Sequence, residues 1–306
     1  MDPLSDVLSL LKPRSYVSAG LDAGGDWSIH YPHQGEFIKC QVIVRGGCWL
    51  RVEGVEDAVR LEAGDCFVLA SGRPFRLCSD PNLTPVDAGT IFWPTPIGSV
   101  VTHNGGGECL LIGSRFAVGG AAAGTLLGML PPITHIRGES NQAALRWSIE
   151  RMMEELRDPQ PGGTLVAQHL AHMMLVQALR LQVAQSAGAG AGWFCALADE
   201  QMNAAISAMH DDPAQRWTLQ LLAERAHMSR SAFAQKFKAT VGAAPLEYLT
   251  RWRMLLAGDR LAHGGESVGM IARSLGYESE SAFSTAFKRT MGCSPRQYGR
   301  ASVCPQ

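Results

Sequence analysis

The sequence predicts an α+β multidomain chain. An N-terminal β-sandwich or barrel comes first, a helical connecting segment follows, and a C-terminal all-α domain carries two helix-turn-helix units. Three observations predict this. Residues Ser231–Tyr248 read SAFAQKFKATVGAAPLEY and return 50 residues later as SAFSTAFKRTMGCSPRQY at Ser281–Tyr298, an internal repeat that dominates any reading of the fold. Between Val17 and Ile112, short apolar runs are broken by Gly, Pro and Asp, the texture of short strands joined by turns. Ser186–Gly192 reads SAGAGAG, a flexible linker by composition.

Length and composition set the bounds. With 306 residues, the chain is long enough for two domains with cores of their own. Its 46% hydrophobic and 18% charged residues are globular values. No apolar run reaches the roughly 18 residues of a membrane span, and MDPLSDVLSLLKPR places acids before its apolar run, unlike a signal peptide. A cytoplasmic location is therefore expected. The eight cysteines (Cys40, Cys48, Cys66, Cys78, Cys109, Cys195, Cys293 and Cys304) form no CxxC pair and no zinc-finger spacing. Free thiols are expected, with Cys40, Cys48 and Cys66 packing as small hydrophobes. A redox-sensing pair is the alternative.

Taken in order, residues 3–12 read as an amphipathic helix with Leu4, Val7, Leu8 and Leu11 on one face. Candidate strands follow at 27–30, 37–44, 48–53, 58–61, 66–70, 74–78, 90–93 and 109–113. In one of them Leu50 and Val52 alternate with Arg51 and Glu53, as a half-buried strand requires. Helices are expected at 139–158 and 164–186, separated by the breaker DPQPGG. Leu145, Ile149, Met152 and Leu156 form a stripe that serves either a dimer interface or packing on the barrel. The second helix carries Leu165, His169, His172, Met173, Val176 and Leu179. Beyond the linker, Trp193–His210 reads as one helix, stopped by Asp211-Asp212-Pro213.

Each copy of the repeat reads as helix, tight turn, helix. Leu219, Leu222, Ala223 and Ala226 recur at helical spacing behind the cap candidate Thr218. The turns are Ala226-His227-Met228 and Leu275-Gly276-Tyr277-Glu278, with Ser229 and Ser279 placed to cap the second helices. Phe233 with Phe237, and Phe283 with Phe287, sit four apart and bury one stripe. Gly242 and Gly292 stop those helices, and Pro245 and Pro295 start the next. This is the geometry that lays a second helix in the DNA major groove. Charge favours that reading over a merely structural hairpin repeat. Residues 213–306 hold 13 Lys and Arg against 6 Asp and Glu, whereas residues 1–212 hold 14 against 22. A basic tail on an acidic body is the footprint of a nucleic-acid partner.

The pattern GYESESAFSTAFKRTMGCSPRQY resembles the signature of the DNA-binding domain of AraC/XylS-type transcriptional regulators. The resemblance implies two helix-turn-helix units joined by a long helix, here Pro245 to about Ala262. Upstream, GGCWLRVEGVEDAVRLEAGDCFVLASGRPFRL resembles the cupin-type sensor domain of such regulators, and PLSDVLSLL and LLGMLPPITHI fit the same subfamily. The domains so drawn are a cupin-like sensor at 1–135, a connecting or dimerisation segment at 136–186, the linker at 187–192 and the DNA-binding domain at 193–306. The helix-turn-helix units fall at about 218–241 and 267–291. Metal-binding cupins carry two His and a Glu in a first motif and a His after a Pro-x-Gly turn. Here Ala70 replaces that Pro and Phe75 falls where the last His would be, while His30, His33 and Glu36 lack the first motif's spacing. No metal, cofactor or catalytic residue is expected.

The reading is a DNA-binding transcriptional regulator controlled by a small-molecule effector, not an enzyme. Base edges are expected to meet Ser231, Ala234, Gln235, Glu280, Ser281 and Thr285, on the faces opposite the Phe pairs. Phosphates are expected to meet Arg230, Lys236, Lys238, Arg253, Lys288 and Arg289. An effector pocket in the barrel mouth would draw on Trp27, His30, Phe37, Trp49, Phe75, Phe92, Trp93 and His103. The expected partners are double-stranded promoter DNA, an effector of unknown identity, RNA polymerase if the protein activates, and a second copy of the chain; no membrane is expected. A thiol-based redox regulator is the alternative within the class. A metal-dependent cupin enzyme fused to a DNA-binding domain is the rival outside it.

Overall fold

The computed structural model describes residues 2–17, 20–33, 35, 37–93, 99–118, 123–128, 130–137, 143–158, 160–188 and 190–303. The first half runs α1 (Pro3–Leu11), β1 (Arg14–Val17), β2 (Gly20–Ala23), β3 (Ser28–Tyr31), β4 (Phe37–Arg45), β5 (Gly47–Val52), β6 (Val59–Glu62), β7 (Cys66–Leu69), β8 (Phe75–Cys78), β9 (Val86–Asp87), α2 (Ala88–Phe92), β10 (Val100–His103), β11 (Cys109–Ala117), α3 (Ala123–Leu127) and β12 (Thr134–Ile136). The second half is helical: α4 (Ala143–Arg157), α5 (Gly163–Gln185), α6 (Trp193–Ala198), α7 (Glu200–Asp211), α8 (Leu219–Arg225), α9 (Arg230–Val241), α10 (Pro245–His263), α11 (Val268–Ser274), α12 (Glu280–Met291) and α13 (Pro295–Val303).

Contacts divide the chain into two compact units. One comprises residues 13–118 and 130–182; the other comprises residues 1–12, 119–129 and 183–306. In the first unit, one sheet runs β10-β2-β11-β4-β7-β12 with β1 paired to β11, and the other runs β6-β5-β8-β3-β9. Their inner faces share a core that includes Ile29, Tyr31, Ile43, Leu50, Phe67, Phe75, Leu77 and Leu111. The strand FIKCQVIVR of β4 is buried from Ile38 to Ile43 without alternation, because both of its faces are covered. Its odd residues face the core between the sheets. Its outer face, with β11, receives α4 through Ile149 and Met153 against Val44, Leu110 and Ile112. His172 of α5 lies edge-on to Phe116 at 5.3 Å.

Several expectations of the sequence reading shift here. Residues 90–93, expected as a strand, fall within and just after α2, because the Asp87 carboxylate accepts from the Gly89 amide at 2.7 Å and caps a helical turn. The helix expected at 193–210 is two, split where Asp199 caps α7 by accepting from the Met202 amide at 3.0 Å. In α5 the buried residues are Ala167, Leu170, Ala171, Met174, Leu175, Ala178 and Leu179. His169 is exposed, and Leu165 is 58% exposed. The apolar residues of α5 spread all round the helix, so sequence picks out no single face. Residues 139–142 and the side chains of Leu145 and Leu156 lie outside the described residues.

Helix α1 belongs to the contacts of the C-terminal unit. Asp6 Oδ2 lies 3.1 Å from His210 Nδ1, and His210 Nε2 lies 2.9 Å from the Tyr248 hydroxyl. The His210 ring stacks on Trp252 at 3.8 Å between centroids, and Trp193 Nε1 donates to the Tyr248 hydroxyl at 3.2 Å. Burial lowers the pKa of His210, against the opposing pull of Asp6. Lys12 closes the end of α1 with a 2.7 Å ion pair to Asp259. The sequence reading had placed 3–12 with the sensor.

Candidate functional site

The two helix-turn-helix units are built alike, cap for cap. Thr218 and Ser267 accept from the Leu221 and Met270 amides and start α8 and α11. Ser229 and Ser279 accept from the Ala232 and Ala282 amides and start α9 and α12. Gly242 and Gly292 close those helices at φ +81° and +80°, the left-handed conformation that glycine adopts without strain. The Phe pairs are wholly buried, at 5.5 and 5.7 Å between ring centroids. Between the units, α10 buries Tyr248, Trp252, Met254 and Leu255. The turns differ: Gly276 takes φ +80°, and its counterpart His227 takes φ +52°.

Opposite the Phe pairs, the predicted base-reading side chains Ser231, Gln235, Glu280, Ser281 and Thr285 are exposed, and Ala234 is half-buried. Gln235 makes no hydrogen bond within the described chain. Thr285, one repeat away, donates to the Ser281 carbonyl at 3.0 Å. Glu280 lies 3.7 Å from Arg296. Ala232 and Ala282, absent from the sequence reading, are exposed on the same faces and are matched by the 50-residue register. A depression of about 590 Å³ beside α12 is lined by Ser281, Ser284, Thr285, Lys288, Arg289 and Ser294, with cations and hydroxyls of the kind that hold phosphate.

Of the six predicted phosphate contacts, Arg230, Lys238, Lys288 and Arg289 are exposed. The other two are engaged inside the domain. Lys236 pairs with Asp199 at 2.7 Å and donates to Gln201 at 2.9 Å. Arg253 donates to the Pro213 and Gln215 carbonyls at 2.6 and 2.8 Å and lies over the Tyr277 ring. Both cations fold the domain, a role that one-dimensional charge cannot separate from phosphate binding.

The predicted effector residues do not converge as a set. Phe75 stacks on Tyr31 at 4.4 Å, and Phe92 lies 6.0 Å from Tyr31. Phe37 sits under the Arg115 guanidinium at 4.4 Å. Trp27 is buried in the core between the sheets. By strand alternation His30 and Trp49 take the outer face, because Ile29 and Tyr31, and Leu50 and Cys48, take the inner one. Trp93 is 83% exposed, and His103 is half-buried on edge strand β10. A shallow site of about 390 Å³ on the outer face takes His30, Arg51, Glu53 and Arg76. The sequence reading missed Tyr31 and Lys39. Lys39 is 8% exposed, with its ammonium 4.0 Å from the Tyr31 ring centroid and 4.6 Å from that of Phe75. Only its place in β4, amid apolar residues, could have flagged it. Burial first, and Arg115 second, lower its pKa to about 7.

The register of the second-motif His is filled by the Phe75 ring in its stack. Among the described residues no three His, Cys, Asp or Glu side chains converge, and Glu36 lies outside them. Cys40 and Cys66 approach to 3.8 Å between sulfurs, on neighbouring strands. Cys109 across the core, and burial, push the Cys48 thiol up, while Cys48 draws Cys109 down. Cys304 lies outside the described residues.

Comparison with known proteins now adds to this geometry. A family model described as Cupin matches residues 2–184, and one described as Helix-turn-helix domain matches residues 222–301. A putative AraC-like transcription regulator of Streptomyces lividans is 42% identical over 92% of each chain. The chain belongs to the AraC family of transcription regulators. The HTH-type transcriptional regulator AlkR of Acinetobacter baylyi is 26% identical, over 92% of this chain and 93% of its own. A crystal structure of the DNA-binding domain of AdpA, a global transcriptional factor, in complex with a target DNA is 33% identical over 34% of this chain and 92% of that one, with a TM-score of 0.32. This AraC-family protein is therefore a DNA-binding transcriptional regulator with a cupin-type N-terminal domain, and its partner is double-stranded DNA. Among the described residues no helix is long and apolar enough to cross a membrane.

Proposed function

We propose that the barrel of this regulator takes a small-molecule effector whose occupancy controls promoter binding, and that α9 and α12 read two successive major-groove segments. The observation that carries the DNA half is the matched exposure on α9 and α12. Each buries a Phe pair on one side and presents Ser, Ala and a polar side chain on the other. Ser231, Gln235, Ser281 and Thr285 meet bases, and Arg230, Lys238, Lys288 and Arg289 meet phosphates. Glu280 at the start of α12 disfavours phosphate on its side and favours a cytosine amino group. No side chain is assigned a catalytic role. An effector can shift the regulator only by binding two conformational states unequally.

Genome-wide binding of the purified full-length protein, followed by affinity measurements on the recovered sites, tests the reading. Sites with two half-sites about 10 base pairs apart are expected. Recovered sites with a single half-site, or none, overturn it. RNA polymerase contact and dimerisation belong to the same proposal, and sedimentation on and off DNA tests the second. The thiol-based alternative draws on the Cys40–Cys66 approach and the mutual influence of the Cys48 and Cys109 thiols. Replacing each of the four by Ser leaves oxidant-dependent transcription unchanged if that alternative is wrong.

A further inference from the structure

We propose that the outer face of the five-stranded sheet carries a ligand site of its own, separate from the barrel interior, for a hydroxylated phosphate monoester of the sugar-phosphate kind. Arg51 and Arg76 meet the phosphate with His30 beside them, and Glu53 accepts from the ligand's hydroxyls.

Strand register puts the cations in one row. His30 on β3 is the direct partner of Arg76 on β8, and Arg76 is the direct partner of Arg51 on β5. Direct partners in an antiparallel pair hold their Cβ atoms about 4.5–5.5 Å apart, and two guanidiniums so placed repel. Among the described residues no carboxylate forms an ion pair with any of the three. Asp87 on β9 stands beside His30 at the end of the row, but its carboxylate accepts from the Gly89 amide at 2.7 Å. An anion that bridges the two guanidiniums turns their repulsion into charge-assisted hydrogen bonding.

The same row lines a groove. A depression of about 390 Å³ is bounded by His30, Arg51, Glu53, Val55, Pro74 and Arg76. Its walls are held by the protein itself. Arg76 Nε donates to the Ser28 hydroxyl at 2.7 Å, and its Nη2 donates to the Leu83 carbonyl, which fixes the fork. The rim is the turn after β5, where the Glu53 amide donates to the Pro74 carbonyl at 2.9 Å and the Val55 amide to the Val52 carbonyl at 3.1 Å. Arg73 donates to the Glu53 carbonyl at 3.4 Å and brings a further cation to that rim. Arg51 is exposed and makes no hydrogen bond within the described chain, so binding an oxyanion costs it no partner.

Charge and surface narrow the ligand. Two guanidiniums against the single carboxylate of Glu53 leave positive charge for a dianion, and Glu53 requires donors on the rest of the molecule. The Phe75 ring is turned inward onto Tyr31 at 4.4 Å. Trp49, on the neighbouring row, lies under the Arg60 guanidinium at 5.6 Å. Among the described residues the groove therefore offers no free aromatic face for a nucleobase to stack on, which favours a sugar or polyol phosphate over a nucleotide.

The test is titration calorimetry of the full-length protein at low salt with glucose 6-phosphate, glycerol 3-phosphate, inorganic phosphate and glucose. The two esters are expected to bind, inorganic phosphate more weakly, and glucose not at all over the same range. The DNA-binding helices also carry cations, so variants locate the site. Arg51→Ala is expected to weaken ester binding about 10-fold and Arg51→Glu to abolish it, both with the native thermal transition, because the side chain is exposed. Ester binding that survives Arg51→Glu overturns the proposal, as does its absence from the native protein at millimolar concentration. Glucose or inorganic phosphate binding as tightly as the esters overturns the choice of ligand. Loss of promoter binding in Arg51→Glu, with no ester binding by the native protein, makes the row a DNA contact and overturns the site. The barrel-effector reading stands apart from each of these outcomes.

Discussion

Replacing Gln235 by Ala should weaken the cognate site and erase preference at one or two base pairs, and the structure sets the size of the effect. Gln235 is exposed on the outer face of α9 and has no partner within the described chain, so nothing in the protein is given up when its amide turns to an adenine edge. A bidentate base contact contributes about 1–3 kcal/mol, which is about 5- to 150-fold in affinity. Its counterpart Thr285 already donates to the Ser281 carbonyl at 3.0 Å and must exchange that bond for one to DNA. Thr285→Ala is therefore expected to cost about 1 kcal/mol or less. Lys288→Ala removes an exposed charge, so it should weaken every sequence alike and lower the salt slope by about one phosphate contact. Fluorescence anisotropy on cognate and single-mismatch duplexes, from about 50 to 200 mM salt, separates the three. A uniform loss with Gln235→Ala, or a larger loss of base preference with Thr285→Ala, would refute the reasoning.

The remaining predictions concern the geometry around those helices. Gly276→Ala places a Cβ 2.2 Å from the Ala214 carbonyl oxygen at φ +80° and should cost about 3 kcal/mol of stability in denaturant unfolding, whereas His227→Gly relieves φ +52° and should be neutral or stabilising by up to about 1 kcal/mol. Deleting residues 1–12 should uncover His210 and Trp252, lower the melting temperature and raise protection loss around α7 and α10 in hydrogen exchange; unchanged exchange there would show that α1 contributes nothing. A five-base-pair insertion between half-sites should abolish tight binding, since it turns the second groove to the opposite face of the duplex. Lys39 binds its proton less tightly folded than unfolded, so the unfolded chain holds more protons between about pH 7 and 10. Stability should rise with pH across that window at up to about 1.4 kcal/mol per unit, and Lys39→Met should flatten the rise.

How far the sequence reaches depends on the range of the interaction. The C-terminal half was legible because its signals are local. Caps at Thr218, Ser229, Ser267 and Ser279, stops at Gly242 and Gly292, and Phe pairs four apart all act within a turn or two of helix, and the repeat states them twice. The outer faces of α9 and α12 follow directly from the Phe stripe. The strands between 27 and 78 were legible for the same reason, through alternation and turns. Where local signals tie, as for five residues at 88–92 or for α5, whose apolar residues spread all round the helix, only packing chooses.

Which charges remain free is a property of the folded state. Lys236 and Lys238 stand two apart on one helix, yet one meets Asp199 and the other meets solvent. Arg253 is half-buried and donates to the Pro213 and Gln215 carbonyls, forty and thirty-eight residues back along the chain. The barrel interior is decided the same way: Lys39, Gln41, Tyr31 and Phe75 meet only because β4, β3 and β8 belong to facing sheets. By itself the sequence determined the double helix-turn-helix, its exposed faces and the β-rich N-terminal domain, because periodicity, caps and turns act over a few residues. The tertiary structure alone decided which cations stay exposed, where α1 docks and which polar groups stand unpaired inside the barrel, because desolvation and ion pairing depend on neighbours that the chain brings together only when it folds.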